Sequence, residues 1–502
     1  MSNPDLVIEE EQQLSPFWGV AVKIGPAILV GLFYLTIVLH YAYTPDDTYI
    51  DLQYAGNLAH GDKFAFNADA PTYGTTAPLW VLLIAAGTKA GLDPFIVAKT
   101  FDILFASLSV IAVYVLSFSI IRDKVYSLFV TLVFSLDAFV LRWAGSGTET
   151  SIAMLLVLLA VKYAYAGDYH IAGFVAGLLT LVRPEGLFLF FVIQLENYIV
   201  SIVLGRNRTR FWAAAALYGL VVVPWLVFSY ANFGSVIPNA ILARMKMQSS
   251  LWNVGQGIFN SAIVLSSTLP LLILLLVVGV PLVIRKSGIG TFVAKGMPIV
   301  WIAGLVLGSQ LVSTVGFSRL LVPAISLIVV YAFWCLRQME DYYHWPRKKA
   351  LLFLSILSCA TILQSEFVYR LIEVPHMDAL TEESDKGIRP IALWLRSNTK
   401  VDASVSAEHA GLLGYIGQRK ILDGAGLFTP KTLNPLTSIE RHDGTTRSGD
   451  REAEKFDFVV DRSIIRARLS SDSLRPVLTT EFGDPGSKIS GLHYYTLYRV
   501  IR

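Results

Sequence analysis

Charge is scarce in this sequence: only 16% of its 502 residues are Asp, Glu, Lys or Arg, against 54% hydrophobic. A soluble domain needs more polar surface than that. Together with a mean hydropathy of +0.56, the composition points to a polytopic membrane protein. The net charge is only +3, and no stripe of Arg and Lys interleaves with aromatics, which argues against a nucleic-acid partner. Cysteine is almost absent. Cys335 and Cys359 both fall in apolar segments and read as buried core thiols, implying neither a disulfide framework nor a metal site. There is no H-E-x-x-H, no paired Cys/His spacing, no Gly-rich phosphate loop ahead of a helix and no serine-nucleophile elbow. No basic region or small-residue cleavage site accompanies the first apolar run, so it reads as a retained anchor.

What is abundant is long apolar runs. A span needs about 20 apolar residues, and candidates lie near 17–41, 95–120, 125–141, 150–166, 187–204, 211–230, 259–284, 297–315, 319–336 and 349–370. Two shorter runs, 78–92 and 169–182, are ambiguous. The loops resolve them. Basic residues cluster at Arg122 and Lys124, at Arg206, Arg208 and Arg210, at Arg285, Lys286 and Lys295, and at Arg337, Arg347, Lys348 and Lys349. Cytoplasmic loops collect Lys and Arg. All four clusters fall on one side if 169–182 crosses and 78–92 lies at, or dips into, the outer interface. The expectation is an α-helical bundle of about eleven transmembrane helices, N-terminus inside and C-terminus outside. Residues 1–374 form the membrane unit, with a first external loop at 42–94.

From Pro375 the chain turns polar, and 375–502 reads as an extracytoplasmic α/β domain. Residues 388–398 look helical. Ser404–Ala407, Lys420–Asp423, Phe456–Val460 and Tyr494–Val500 look like short strands, and 436–452 like a mobile loop. His409 beside Glu408 reads as a turn pair ahead of a catalytic dyad.

Isolated polar residues gather on the expected outer face. Asp46 and Asp47 follow the first span, and acidic residues at a membrane mouth are costly enough to suggest a task. In a helix they would project about 100° apart, so only one can face a given substrate squarely. One would be a general base, Asp46 being the first choice, and the other its positioning partner; a helix N-cap is compatible with either. Glu149, in Gly145-Ser-Gly-Thr-Glu-Thr150, is either a substrate contact or a first-turn acid favoured by the helix dipole. Arg142 is its candidate partner or an interface anchor. Arg183 and Glu185 flank Pro184 and read most plainly as a local ion pair closing a helical hairpin. Arg244 and Lys246, near Asn239, and Arg319 at the head of a span can bind an anionic headgroup or snorkel. Trp80, Trp143 and Trp225 read as belt aromatics. No cofactor is implied; a divalent cation at Asp46 and Asp47 with Glu149 rests on spacing alone.

Read together, Asp46-Asp47-Thr-Tyr-Ile, Tyr54-Ala-Gly-Asn57, Phe66-Asn67, Tyr73-Gly-Thr-Thr-Ala-Pro78-Leu-Trp80, Gly147-Thr-Glu149-Thr150, Arg183-Pro-Glu-Gly186, Pro238-Asn239, Arg319 with Pro323, and Tyr415 with Asp423-Gly-Ala-Gly-Leu427 resemble the GT-C superfamily of membrane glycosyltransferases. The resemblance is to the bacterial group around the mycobacterial arabinofuranosyltransferases and lipopolysaccharide-core transferases. It runs through most of the chain. It implies a sugar donor on a polyprenyl phosphate, an acceptor hydroxyl of a cell-envelope glycan or glycolipid, a first-loop aspartate as base (Asp46 or Asp47), inversion at the anomeric carbon and a site on the outer face of the cytoplasmic membrane. Substrate contacts would come from Tyr73, Arg142, Glu149, Arg183, Glu185, Asn239, Arg244, Lys246 and Arg319. Two positions depart from the group's habit: Gln53 replaces an Arg, and Arg244 replaces a Lys, which keeps a phosphate partner but alters its geometry. The inventory agrees with such chemistry: a phosphate is already a good leaving group, so one carboxylate and nearby cations suffice. The competing readings are a transporter or flippase for a lipid-linked sugar and an assembly protein whose outer domain binds glycan.

Overall fold

The computed structural model describes residues 16–39, 43–203, 209–242, 251–308, 317–407, 409–423, 426–428, 456–463, 466, 469, 474–483 and 492–501. The apolar runs are helices, begun and ended where the sequence supplies a signal. After α1 (Pro16–Val38), α2 (Asp46–Ala59) starts directly behind Pro45 and carries both aspartates in its first turn, where the helix dipole favours negative charge. Then α3 (Pro78–Lys89) opens on a proline, whose missing N–H would have no partner there anyway. Its 12 residues reach about 18 Å, well short of a bilayer core. An Asp93 side chain caps α4 (Pro94–Ile121) by accepting from Ile96 N at 3.0 Å.

The expected span at 125–141 is interrupted: α5 (Lys124–Ser135) stops, and Asp137 caps a new short helix, α6 (Ala138–Trp143). Next come α7 (Thr150–Ala166), α8 (Tyr169–Val182), α9 (Glu185–Val203) and α10 (Thr209–Phe233). The run at 259–284 is also broken. Between α11 (Leu251–Thr268) and α12 (Pro270–Gly308) the axis bends by 105°, at a proline that cannot continue the hydrogen-bond ladder. The bundle closes with α13 (Phe317–Tyr342) and α14 (Arg347–Val368).

Among the described residues, 5 helices are long and apolar enough to cross a membrane, 6 if the bent pair counts as one, and shorter apolar helices accompany them. This is a multi-pass membrane protein. At its centre is α13, apolar on every face and buried from Leu321 to Leu336. By contrast α10 turns Leu220, Val223 and Val227 outward, the surface that lipid would cover. Cys335 is buried on α13, but Cys359 is exposed on α14, so only one of the two thiols is in the core.

The compositional change at Pro375 is not a break in the backbone. Helical structure runs on from α14 through a π-turn (Tyr369–Glu373), α15 (Val374–Glu382), a second π-turn (Glu383–Ile388) and α16 (Arg389–Asn398). A mixed five-stranded sheet follows, built from β1 (Ser404–Ala407), β2 (Lys420–Asp423), β3 (Phe458–Ser463), β4 (Leu474–Gly483) and β5 (Leu492–Val500). Its order is β2-β1-β3-β5-β4, parallel across β2-β1-β3 and antiparallel beyond. Between β1 and β2 lies α17 (Ala410–Gly417), with His409 at its N-cap position. The loop at 436–452 lies outside the described residues, as does Glu408.

The C-terminal unit clamps the first loop. Asn67 exchanges two 2.9 Å hydrogen bonds with the backbone of Ile421, as a neighbouring strand would. Lys420 pairs with Asp69 at 2.6 Å, and Phe66 stacks on Phe428 at 3.9 Å. Asp423 accepts from Leu427 N and Phe428 N, which fixes the turn that presents Phe428.

Candidate active site

The two adjacent aspartates part company. Asp46 turns toward the C-terminal unit, where its carboxylate accepts from Gly411 N at 2.9 Å and Leu412 N at 2.7 Å. It therefore caps α17 from 365 residues away, satisfying donors that the first turn of a helix leaves open. Burial raises its pKa; the nearby His409 and the two amides oppose that shift. The approach is close enough to require glycine, because a Cβ at Gly411 would lie 2.9 Å from the Asp46 carboxyl carbon.

Asp47 turns the other way. Its Oδ2 meets Arg319 Nη1 at 2.5 Å, and its side chain is 52% exposed. The second Arg319 nitrogen, Nη2, donates to Glu149 Oε2. From the other side Arg183 donates to Glu149 Oε1, through Nε at 3.1 Å and Nη2 at 3.0 Å, and to the Arg319 carbonyl at 3.0 Å. Asp47, Arg319, Glu149 and Arg183 thus form one alternating chain of charge, supplied by α2, α13, the loop before α7 and the C-terminus of α8. Burial alone would raise Glu149, but Arg319 and Arg183 hold it below its ordinary value.

The local ion pair expected between Arg183 and Glu185 does not form. Arg183 is extended at the end of α8 and swings inward to Glu149, whereas Glu185 opens α9 beside a hollow of ≈ 10 Å³ that Trp301, Leu305 and Pro323 also line. Arg142 does not reach Glu149 either. It pairs with Glu373 at 2.5 Å, a residue carried by the first π-turn, while its guanidinium sits 5.2 Å from the Trp143 ring. Arg319 lies 5.9 Å from the same ring, and Trp143 Nε1 donates to Ser318 Oγ at 2.9 Å. Trp143 and Trp80 are buried behind the site, not spread along a membrane belt; Trp80 Nε1 donates to Gly147 O at 3.3 Å.

Tyr73 and Asn239 meet elsewhere in the fold. Asn239 N donates to Tyr73 O at 2.7 Å and its side chain to Leu427 O at 3.2 Å, while Trp225 Nε1 donates to the Tyr73 hydroxyl at 2.8 Å. Arg244 and Lys246 lie outside the described residues. Among the described residues no cluster of three or more His, Cys, Asp or Glu side chains is arranged to hold a metal ion. Asp46, Asp47 and Glu149 are instead directed to amides and to Arg319.

Three residues in or behind the site were not singled out from the sequence. Asp51 follows Asp47 by four positions, hence on the same helical face, and accepts from Thr75 Oγ1 at 2.7 Å. Burial, reinforced by Glu149, raises its pKa well above the ordinary carboxylate value. Lys99 Nζ donates to three carbonyls, those of Tyr43 (2.7 Å), Gly145 (2.8 Å) and Ser146 (3.0 Å). One turn on, Asp102 accepts from Gly147 N at 2.7 Å and Ser146 Oγ at 3.3 Å. Spacing could have flagged Asp51; for Lys99 and Asp102 the only signal was charge inside an otherwise apolar run.

The architecture has solved counterparts. The oligosaccharyltransferase of Archaeoglobus fulgidus, in its apo form, superposes with a TM-score of 0.61 at 12% identity, covering 89% of this chain and 70% of that one. ArnT from Cupriavidus metallidurans in the apo state gives 0.56 at 11% identity, and ArnT bound to undecaprenyl phosphate 0.51 at 12%, each covering 96% of this chain and 98% of that one. This chain has the GT-C fold. At these identities the likeness is one of fold, and it extends over the C-terminal unit as well as the bundle. A family model described as a domain of unknown function (DUF8728) matches residues 378–498. No curated protein sequence matches the chain.

Proposed function

We propose that the protein is an inverting glycosyltransferase. It moves a sugar, hexose or pentose, from a polyprenyl-phosphate donor to an acceptor hydroxyl of a cell-envelope glycan or glycolipid. The reaction takes place on the outer face of the cytoplasmic membrane, with eleven spans, the N-terminus inside and the C-terminus outside. Residues 1–374 hold the chemistry and 375–502 cover the first loop. The observation that carries this reading is the half-exposed carboxylate of Asp47, held by Arg319 over a buried Glu149–Arg183 pair on a GT-C fold. Support for the donor class comes from the ArnT structure, whose ligand is undecaprenyl phosphate. Support for a separate acceptor on this fold comes from the oligosaccharyltransferase tethered with an acceptor peptide.

Asp47, not Asp46, is the base in this reading. Both oxygens of Asp46 are engaged by α17, so that carboxylate holds the C-terminal unit. Asp47 takes the acceptor proton as the hydroxyl oxygen attacks the anomeric carbon, and the phosphate leaves from the opposite face. The leaving phosphate needs cations. Arg319 and Arg183 are already balanced by Asp47 and Glu149. Arg244 and Lys246 are therefore assigned to the phosphate, with Glu185, Asn239 and Tyr73 as more distant contributors to the sugar and acceptor sites.

The test is transfer in detergent from a panel of polyprenyl-phosphate sugars, paired with lipid analysis of a deletion strain. The strain should accumulate one polyprenyl-phosphate sugar while a surface glycan loses a residue. Movement of the lipid-linked sugar without a new glycosidic bond would establish a transporter instead. A reporter after Arg502 should read external and one near Arg208 cytoplasmic.

A further inference from the structure

We infer that Lys99 is a positioning residue that sets the spacing between the base and the carboxylate beneath it. This rests on the transferase reading above, and it extends that reading to a residue that need not touch substrate. Lys99 lies on α4, yet its ammonium is bonded entirely to loops. Its three N–H groups match three carbonyls: Tyr43, three residues ahead of Asp46, and Gly145 and Ser146, in the loop that ends at Glu149. One side chain thus ties the start of the base-bearing loop to the start of the Glu149-bearing loop.

Three further side chains close the same seam. Thr48 Oγ1 donates to Ser146 O at 3.3 Å, directly behind Asp47 in sequence. Asp102, three residues after Lys99 and so on the same face of α4, takes the Gly147 amide and the Ser146 hydroxyl. Trp80 Nε1 takes the Gly147 carbonyl. The loop can follow this course because Gly145 and Gly147 have φ of +76° and +87°, the left-handed region that other residues avoid. A Cβ at Gly147 would lie 2.9 Å from Thr48 Cγ2 and 3.5 Å from the Lys99 stem. Asp47 and Glu149 share Arg319, so slack in this seam lets Arg319 follow one carboxylate and leave the other.

The experiment compares wild type with Lys99→Met and Lys99→Gln by two readouts. The first is hydrogen exchange of peptides covering residues 43–50 and 144–150, without substrate. The second is transfer kinetics from a polyprenyl-phosphate sugar. Lys99→Met should raise exchange in both peptides and not in α13 or the sheet. It should also cut turnover at saturating donor by about 100-fold with KM little changed, the signature of a misplaced group. Lys99→Gln, whose amide still donates two N–H groups, should recover part of both. Unchanged exchange in the two peptides, or full turnover, in Lys99→Met overturns the inference. If Lys99→Met fails to insert, Thr48→Val takes its place with the same two criteria. Failure of the wild type to transfer any sugar would sink the transferase reading and the catalytic half of this one, while exchange would still decide whether Lys99 couples the two loops.

Discussion

Replacing each aspartate of the pair separately gives the most direct check on which carboxylate does the chemistry. Asp47→Asn removes the proposed base and one end of an ion pair. Asp47 is the half-exposed member of that pair, and Arg319, though largely buried, keeps its pairing with Glu149, so the loss should stay near the roughly 1 kcal/mol of an exposed pair. Loss of a general base costs about 100- to 10,000-fold in rate. Asp46→Asn keeps one oxygen where two amides were served, and the cap it weakens is worth about 1 kcal/mol. Asp46→Asn should therefore lower thermal stability measurably but leave turnover within about tenfold of wild type. The assay is the initial rate of transfer in detergent, alongside thermal unfolding and a check that each variant is monodisperse. A dead Asp46→Asn beside an active Asp47→Asn would refute the assignment. Full activity in both would remove the pair from the chemistry altogether.

Other perturbations test the rest of the charge chain. Glu149→Gln leaves two buried guanidinium groups without their shared anion, at a cost of about 3–5 kcal/mol, and should appear as a large fall in thermal unfolding temperature. The folded pKa of Glu149 is depressed, so the stability it contributes is present above its unfolded value of about 4.3 and is lost as pH falls below that. Asp51 behaves in the opposite sense. Its folded pKa is raised, so the protonated carboxyl is the favoured guest, and its contribution fades as pH rises from about 3.9 through the folded value. Asp51→Asn should accordingly raise the unfolding temperature at pH 8 relative to wild type and not at pH 4; equal shifts at both would refute this. Arg244→Ala should raise KM for the lipid-linked donor about tenfold or more, read by donor titration at fixed acceptor, if that cation holds the leaving phosphate.

The bundle was legible because its signal is local. Apolar runs announce helices, and caps such as Asp93 and Asp137 mark their starts. The breaks at Leu136–Asp137 and Leu269–Pro270 escape the sequence reading, since hydropathy averages across an interruption of one or two residues that a continuous helix does not tolerate. In the C-terminal unit β1 and β2 lie where the sequence places short strands, while β3 and β5 overlap the expected runs 456–460 and 494–500 with shifted ends. β4 has no expected run, because Pro476 argues against a strand; it is tolerated here on the edge of the sheet, at a register shift.

The site was legible as a set of residues and not as a set of pairs. Asp46, Asp47, Glu149, Arg183 and Arg319 could each be picked out as an isolated polar group beside a span, but nearest neighbours in sequence suggested the wrong partners. Arg183 bypasses Glu185 for Glu149, 34 positions back, and Arg142 reaches Glu373, 231 positions on. Nor does the sequence reveal what Asp46 faces, which is a pair of backbone amides 365 and 366 residues away. Amides carry no sequence signature at all; the one trace they leave is Gly411, whose missing side chain makes the approach possible. Two adjacent carboxylates at the head of one helix thus acquire different tasks from what folds against them. One has both oxygens engaged by the C-terminal unit; the other keeps half its surface open beside Arg319, which is why the proposed reaction places the base there.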